Sequence, residues 1–208
     1  MGLDQDDASR VPRLPVLARA WWLPFTIGAL SLAAELGGET VRTALRYSRP
    51  DIGAGELWRL ASGHLVHLGW SHFAMNVTAL LLIWLLVSRS FRPSQWLLIT
   101  AVVMVGIDAG FWFIDTQLLW YVGLSGVLHG LLVAGLVGTW SQSRIEVPLL
   151  LLLLAAKLAY EQLFGAMPGS ESSAGGAVVV NAHLYGALAG GVAALLAIRY
   201  NGRHHAQL

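Results

Sequence analysis

The chain has 208 residues, of which 56% are hydrophobic and 12% are charged, and its formal net charge is +1. An ordinary globular domain has about twice this share of charged residues, and a near-neutral chain lacks the basic surface that nucleic acids bind. Because the chain has no cysteine, disulfides and thiolate metal sites are excluded. The composition predicts a membrane protein without a nucleic-acid partner.

Apolar runs of about 20 residues recur along the chain, which is the length that crosses the hydrocarbon core of a bilayer as a helix. A cleaved signal peptide is not expected, because residues 1–19 are polar and partly acidic and no small-residue cleavage site follows the first apolar run. Charges, glycines and prolines separate the apolar runs. The pattern predicts six transmembrane helices, over residues 20–36, 71–88, 94–114, 124–141, 146–165 and 179–199.

The distribution of arginines predicts how these helices cross the membrane. Eight arginines lie at helix ends that an even number of crossings separates: Arg10, Arg13, Arg19, Arg89, Arg92, Arg144, Arg199 and Arg203. The positive-inside rule places these ends, and both termini, in the cytoplasm. We therefore expect an all-α membrane protein with a cytoplasmic segment over 1–19, a six-helix bundle over 20–200 and a cytoplasmic tail over 201–208.

The first loop, residues 37–70, is the exception to this charge pattern. It carries four arginines on the outer side, namely Arg42, Arg46, Arg49 and Arg59. A loop of this length is less bound by the positive-inside rule. Its mixture of glycine, charge and the segment "ELWRL" predicts a structured segment at the membrane interface.

Four polar residues fall near the outer ends of three predicted helices that run in the same direction. His72 and Asn76 lie four residues apart in the second helix and so share a face. Ser125 begins the fourth helix, and His183 lies about one turn into the sixth. Since polar groups inside a membrane cost free energy and mark functional sites, we interpret their common depth as functional.

Small residues predict which of these helices touch. Gly126 and Gly130 form one face of the fourth helix, while Gly186 and Gly190 form a matching face of the sixth. Such faces allow two helix backbones to approach closely. If the two faces meet, the side chain of His183 can reach the serine above them.

These residues are the components of a serine–histidine dyad. A serine hydroxyl becomes a nucleophile when a base such as His183 takes its proton. Acyl transfer also needs donors for the developing oxyanion, which His72, Asn76 and the N–H of Ser125 can supply. Gly123 is expected to free the backbone ahead of the serine so that this N–H can face the oxyanion. No acidic residue is evidently placed behind His183, so the sequence predicts a dyad and not a triad.

Structural roles are the alternative for each residue taken alone. A serine among glycines can simply pack, and a membrane histidine or asparagine can form an interhelical hydrogen bond. Lys157 and Glu161, four residues apart in the fifth helix, are expected to pair with each other. Asp108 is expected to pair within the bundle. His64 and His67 are interpreted as interface or loop histidines, and no metal site is predicted.

Four short segments occur in order along the chain, "ELWRL" at 56–60 in the first loop and "HFAMN" at 72–76, "GLSG" at 123–126 and "AHLYGALAG" at 182–190 on the second, fourth and sixth predicted helices. They resemble the WR, HxxxN, GxSG and AHxxGxxxG elements of the rhomboid intramembrane serine proteases. The resemblance covers nearly the whole six-helix core. It implies an endopeptidase without a cofactor that cleaves substrates near the outer end of a transmembrane segment.

The resemblance also implies roles for individual residues. Ser125 and His183 would form the catalytic dyad, and the oxyanion hole would consist of His72, Asn76 and the Ser125 amide. Gly123, Gly126 and Gly186 would support this site. His67 would match a structural histidine of the first loop.

His129 departs from the common pattern, in which an aromatic residue four positions after the serine stacks on the catalytic histidine. An imidazole can stack there too, and it can also form hydrogen bonds. "GLSGVLHG" with this histidine resembles the rhombosortase subfamily of bacterial enzymes. These are thought to process proteins whose C-terminal tail holds a Gly-Gly-type motif, a hydrophobic helix and a basic cluster.

The resemblance implies a location and partners. The location is the bacterial inner membrane, with the site near its periplasmic side. The partners are the lipid bilayer and a tailed transmembrane substrate. The substrate's identity and the oligomeric state stay open. So do two rival functions, a non-catalytic rhomboid-like protein that binds transmembrane segments and a small transporter that uses His72, His183 and Asp108.

Overall fold

Long helices account for most of the computed structural model, which describes residues 14–205, with side chains for residues 21–200. The long helices within this part are α1 (Leu14–Leu36), α5 (Trp70–Val87), α6 (Pro93–Phe113), α7 (Ser125–Gly138), α8 (Glu146–Phe164) and α10 (Val180–His205). Shorter helices are α2 (Gly38–Leu45), α3 (Arg49–Gly53), α4 (Arg59–Ser62) and α9 (Ser170–Ala174).

Each of the six predicted segments overlaps one of the long helices, and the largest differences lie at the two ends of the chain. Helix α1 begins at Leu14 instead of residue 20, and α10 continues to His205, past the predicted end of the bundle. A helix can extend beyond its apolar run because backbone hydrogen bonds do not depend on the polarity of the side chains. The rest of the predicted termini, residues 1–13 and 206–208, lies outside the described residues.

Four helices of the described part, α5, α6, α8 and α10, are long and apolar enough to cross a membrane. Large apolar side chains stand exposed on the outer faces of these helices, among them Leu82, Val105, Leu152 and Leu196. Exposed apolar surface of this extent fits contact with lipid and not with water. The chain is therefore a mostly helical, multi-pass membrane protein, while the count of six crossings stays a prediction.

Helix α7 occupies the centre of the bundle. It packs against α10, α5, α6 and α8, and α10 packs in addition against α6 and α8. Its side chains Val127, Leu131 and Ala134 are completely buried, together with Leu80 of α5 and Val103 of α6. Burial on all sides gives the first residue of α7 a fixed position within the bundle.

The glycine faces of α7 and α10 meet, as the sequence predicts. A Cβ atom on Gly186 would collide with the carbonyl oxygen of Gly126, and one on Gly190 would collide with that of Gly130. In the reverse direction, a Cβ on Gly126 would lie 2.8 Å from the carbonyl oxygen of Ala182. Two backbones at this distance leave no room for side chains larger than hydrogen.

A two-stranded pairing joins the first loop to the segment before α7. Strand β1 (Tyr47–Ser48) is antiparallel to β2 (Trp120–Tyr121), with Tyr47 opposite Tyr121. The prediction of an all-α protein did not include this short pairing, and the described residues are otherwise mostly helical. Two residues per strand are too few for the alternation of polar and apolar residues that marks a strand in a sequence.

The arginines of the first loop have structural partners. Arg49 donates hydrogen bonds to the carbonyl oxygens of Phe111, Trp112 and Asp115, and so caps the C-terminal end of α6. The guanidinium of Arg46 lies 5.4 Å from the centre of the Trp120 ring. These contacts explain why the first loop carries positive charge, and they fit the prediction of a structured segment.

Candidate active site

Ser125 is the first residue of α7, and the backbone turns sharply just before it. Gly123 has a φ of +135°, a conformation that residues with a side chain rarely adopt. Its N–H donates to the carbonyl oxygen of Gly63, at 3.1 Å, and its own carbonyl accepts a 2.5 Å hydrogen bond from the Tyr121 hydroxyl. These bonds fix the entry of the chain into the helix and hence the position of Ser125.

Burial keeps the hydroxyl of Tyr121 protonated and neutral. Tyr121 lies in β2, where desolvation raises the pKa of its hydroxyl far above the usual range. The hydroxyl therefore remains a donor at all ordinary pH values.

The first N–H groups of a helix have no acceptor within it, so the start of α7 offers donors beside the Ser125 side chain.

His183 faces Ser125 across the glycine seam of α7 and α10. Its Nε2 atom lies 2.9 Å from the Oγ atom of Ser125, within hydrogen-bonding distance. His183 is buried, whereas Ser125 is half-buried. A histidine that accepts the hydroxyl proton of a serine is the arrangement that general-base activation of the serine requires.

His72 and Asn76 lie one turn apart on α5 and line the same cavity as Ser125. The Nδ1 atom of His72 accepts a hydrogen bond from the N–H of Leu68 at 3.3 Å, so the neutral ring carries its proton on Nε2. This Nε2 edge faces Gly123, where an added Cβ would lie only 3.5 Å away. His72 thus directs a donor toward the turn that precedes Ser125.

Asn76 uses one of its two amide hydrogens within its own helix. Its Nδ2 atom donates to the carbonyl oxygen of His72 at 2.9 Å, which fixes the side-chain rotamer. The second hydrogen belongs to a buried side chain that lines the cavity. The two α5 residues therefore bring N–H donors to the region of Ser125, which is the chemistry expected of an oxyanion hole.

His129 stacks on His183 and forms two hydrogen bonds. The ring centroids are 4.3 Å apart with an angle of 18° between the planes. Nδ1 of His129 lies 2.7 Å from the carbonyl oxygen of Ser125, and Nε2 lies 2.7 Å from Nζ of Lys157. Because a carbonyl only accepts and an ammonium only donates, His129 is neutral with its proton on Nδ1.

An acidic residue lies directly behind His183, so the sequence-based statement that none is evidently placed there is wrong. The carboxylate of Glu161 on α8 approaches Nδ1 of His183 at 2.9 and 3.1 Å. Glu161 also pairs with Lys157 at 2.8 Å, which confirms the predicted pair. The sequence shows the spacing of this pair on one helix, but not the rotation of α8 that turns Glu161 toward α10.

These contacts define the proton positions on His183. Nδ1 lies near both the Glu161 carboxylate and, at 3.1 Å, the Lys157 ammonium. The ammonium has closer acceptors in Glu161 and His129, so Nδ1 carries a proton that it donates to Glu161. Nε2 is then unprotonated and accepts the hydrogen of the Ser125 hydroxyl.

A cavity of about 260 Å³ opens beside the serine. Apolar side chains of two helices line it: Met75, Ala79 and Ile83 of α5, and Leu128 and Leu132 of α7. Residues of the segment between α8 and α10 cover it, including Ser170 and Val178. The polar side chains that line the cavity are Ser125, His129, His183, His72 and Asn76, together with Ser170 of the covering segment, and the rest of its lining is apolar.

A match to a protein-family model identifies the family of the chain. The family model described as "Rhomboid domain" matches residues 54–200, which is more than half of the chain. The chain belongs to the rhomboid family. No curated protein matches its sequence.

The WR element of this rhomboid organises the first loop. Arg59 is buried and donates to the carbonyl oxygens of Thr43 and Arg46, at 2.9 and 3.0 Å, and to Glu56 at 2.7 Å. The neighbouring Trp58 is 55% exposed. Arg59 therefore holds α2, α4 and the start of β1 together.

Two further histidines of this rhomboid, His64 and His67, lie in the first loop between α4 and α5, which is one of the two places that the sequence interpretation gives, and both are buried. His64 is buried with Nε2 3.3 Å from Oδ1 of Asp108, so this aspartate has a partner within the protein, as expected, although the sequence analysis did not name His64 as that partner. His67 is buried against the rings of His72 and Phe73. Burial, with His72 nearby, lowers the pKa of His67 to about 3.

The sequence interpretation missed Glu161, Lys157 and Tyr121 as neighbours of the rhomboid site. For Glu161 one signal exists, because a carboxylate within an apolar run needs a partner inside the protein. A pair with Lys157 four residues before it already satisfies that need, so the contact with His183 stays hidden in the sequence. Tyr121 offers no such signal, since aromatic residues near helix ends are common at membrane interfaces.

Proposed function

We propose that this rhomboid is an intramembrane serine endopeptidase in which Ser125 is the nucleophile and His183 the general base. The observation that carries this proposal is the 2.9 Å approach of His183 Nε2 to Ser125 Oγ inside an apolar bundle. A buried serine–histidine pair with donors beside it has the components of acyl transfer. Neither a transporter nor a protein that only binds requires a base directed at a hydroxyl.

The reaction follows from the positions of these groups. His183 takes the proton of the Ser125 hydroxyl while Oγ attacks the carbonyl carbon of the scissile peptide bond. The carbonyl oxygen becomes an oxyanion, which accepts hydrogen bonds from His72, Asn76 and the Ser125 N–H. Imidazolium His183 then gives the proton to the leaving nitrogen as the C–N bond breaks, and water hydrolyses the resulting acyl-enzyme.

The substrate is proposed to be a transmembrane segment that enters from the bilayer. The apolar cavity walls on α5 and α7 provide a surface that matches such a segment. A peptide carbonyl in a helix is occupied by its own hydrogen bond, so the segment must unwind near the scissile bond. A helix of 14 residues such as α7 rises about 21 Å, less than the hydrocarbon thickness, which favours a site recessed below the membrane surface.

We further propose that the chain is a rhombosortase, located in a bacterial inner membrane with its site near the periplasmic side. The proposal is supported by His129, which stands where other rhomboids commonly carry an aromatic residue and stacks on His183. The proposed substrate ends in a Gly-Gly-type motif, a hydrophobic helix and a basic cluster. Glycines would suit the site because they unwind a helix at low cost.

Covalent labelling tests the proposed chemistry. The purified protein is treated with a fluorescent fluorophosphonate, and the modified residue is mapped by peptide mass spectrometry. We expect modification of Ser125 in the natural protein and loss of modification in His183→Ala. A folded protein that is not labelled at Ser125 would contradict the proposal.

A further inference from the structure

Glu161 is a buried carboxylate on α8, a helix most of whose side chains are exposed or half-buried. In the fully described helix α8, the buried side chains are Val147, Leu158 and Glu161. The Glu161 side chain is 2% exposed, whereas that of its partner Lys157 is 27% exposed. Burying a carboxylate costs free energy that a leucine at the same place would not. Attachment of α8 to the bundle therefore does not explain why this position carries a carboxylate.

The contact of the carboxylate with His183 provides an explanation. Both oxygens of Glu161 lie within 3.1 Å of Nδ1 of His183, on the side of the ring opposite to Ser125. An ion pair that only tied Lys157 to Glu161 along the helix would not need this third partner. The contact orients the imidazole so that its unprotonated nitrogen meets the serine.

We propose that Glu161 is a positioning residue that completes a Ser125–His183–Glu161 triad, and that Lys157 keeps it ionised and in place. This inference rests on the proposed function. When His183 takes the serine proton on Nε2, it retains the proton on Nδ1 and becomes a cation. The adjacent carboxylate stabilises that cation and receives no proton itself.

Lys157 and His129 belong to the same group of contacting polar side chains as Glu161 and His183. The ammonium lies 2.8 Å from Glu161 and 2.7 Å from Nε2 of His129, which stacks on His183. Carboxylate and ammonium together are neutral, which lowers the cost of holding the carboxylate in the membrane interior. The ring of His129 accepts a hydrogen bond from Lys157, which a phenylalanine at this position would not do. Lys157 is thereby held in place by two acceptors.

Two variants separate positioning of His183 from simple attachment of α8. Glu161→Gln keeps the shape of the side chain but removes its charge, and Lys157→Met breaks the same ion pair from the other side. Both are assayed as full-length protein in liposomes, with a reporter substrate that carries a Gly-Gly motif, a hydrophobic helix and a basic cluster. The values of kcat and KM are measured, and thermal unfolding is followed in parallel.

We expect Glu161→Gln to lower kcat by about 10²-fold or more with KM changed less than threefold, because an amide favours the wrong tautomer of His183. Lys157→Met should retain at least tenfold more kcat than Glu161→Gln. If the pair only attaches α8, both variants lose activity equally or through KM, and the proposal is wrong. Failure of the proposed function would look different, since Ser125→Ala would then cleave as well as the natural protein.

A measurement on the unaltered protein covers the case in which Glu161→Gln does not fold. Nitrogen-15 NMR of histidine-labelled protein reports which ring nitrogen carries the proton. The proposal expects His183 protonated on Nδ1 and not on Nε2. A His183 ring protonated on Nε2 alone would overturn it.

Discussion

Gly190 of α10 lies so close to Gly130 of α7 that a single added carbon would collide with the carbonyl oxygen of Gly130. The collision is with backbone and not with a flexible side chain, so the helices would have to separate. Because this seam sets the distance between Ser125 and His183, packing and chemistry depend on the same contact.

We therefore expect Gly190→Ala to lower the free energy of unfolding by about 1–3 kcal/mol, the usual cost of overpacking. It should also slow the labelling of Ser125 by a fluorophosphonate. Gly191→Ala is the matched control, since a Cβ at Gly191 would meet Val133 at an ordinary 3.6 Å. Equal melting temperatures of the two variants would contradict this account of the seam.

Gly123 is expected to resist substitution for two separate reasons. Its φ is in the region that favours glycine, and a Cβ there would lie 3.2 Å from Cε1 of His72. Gly123→Ala should reduce kcat by tenfold or more, because it displaces both the turn before Ser125 and a proposed oxyanion donor. Gly55→Ala has a comparable backbone cost at φ +105° with open space around it, and its kcat should stay within threefold.

Replacement of Arg59, even by another cation, should destabilise the first loop. Lysine cannot reproduce the fork of donors that joins Thr43, Arg46 and Glu56. We expect Arg59→Lys to destabilise the protein by about 1–3 kcal/mol and to speed hydrogen exchange in residues 38–62. Trp58→Phe, at an exposed neighbouring position, should leave both unchanged. If hydrogen exchange in residues 38–62 were equally fast in the two variants, Arg59 would not have the structural role described here.

His67 should make stability depend on pH in a defined direction. Its pKa is about 3 in the folded protein and about 6.5 in the unfolded chain, so the unfolded state binds the proton first as pH falls. Its contribution is complete above pH 6.5 and is lost between about pH 6.5 and 3, by at most about 1.4 kcal/mol per pH unit. The melting temperature of the natural protein should therefore fall more steeply from pH 7.5 to 4.5 than that of His67→Gln. Parallel curves would contradict this assignment.

Helix positions and the site motifs could be predicted because they depend on local sequence. Apolar length reveals the long helices, and the matched spacing of Gly126 and Gly130 with Gly186 and Gly190 reveals their closest contact. The position of Ser125 at the start of α7 follows from the glycines around it. These features need no knowledge of how distant parts of the chain meet.

The features that escaped prediction depend on helix rotation and on long-range pairing. Glu161 contacts His183 because α8 turns that one face toward α10, which an almost uniformly apolar helix does not encode in its periodicity. The pairing of Tyr47 with Tyr121 joins residues far apart in sequence through two short strands. Local propensity says nothing about either contact.

The most direct test of the central claim is the cleavage of a reporter transmembrane substrate in liposomes, followed by mass measurement of the products. The substrate carries a Gly-Gly motif, a hydrophobic helix and a basic cluster at its C-terminus. We predict two fragments whose masses sum to the substrate plus one water, and none from Ser125→Ala at an unchanged melting temperature. Retained cleavage by Ser125→Ala would contradict the assignment of Ser125 as the nucleophile.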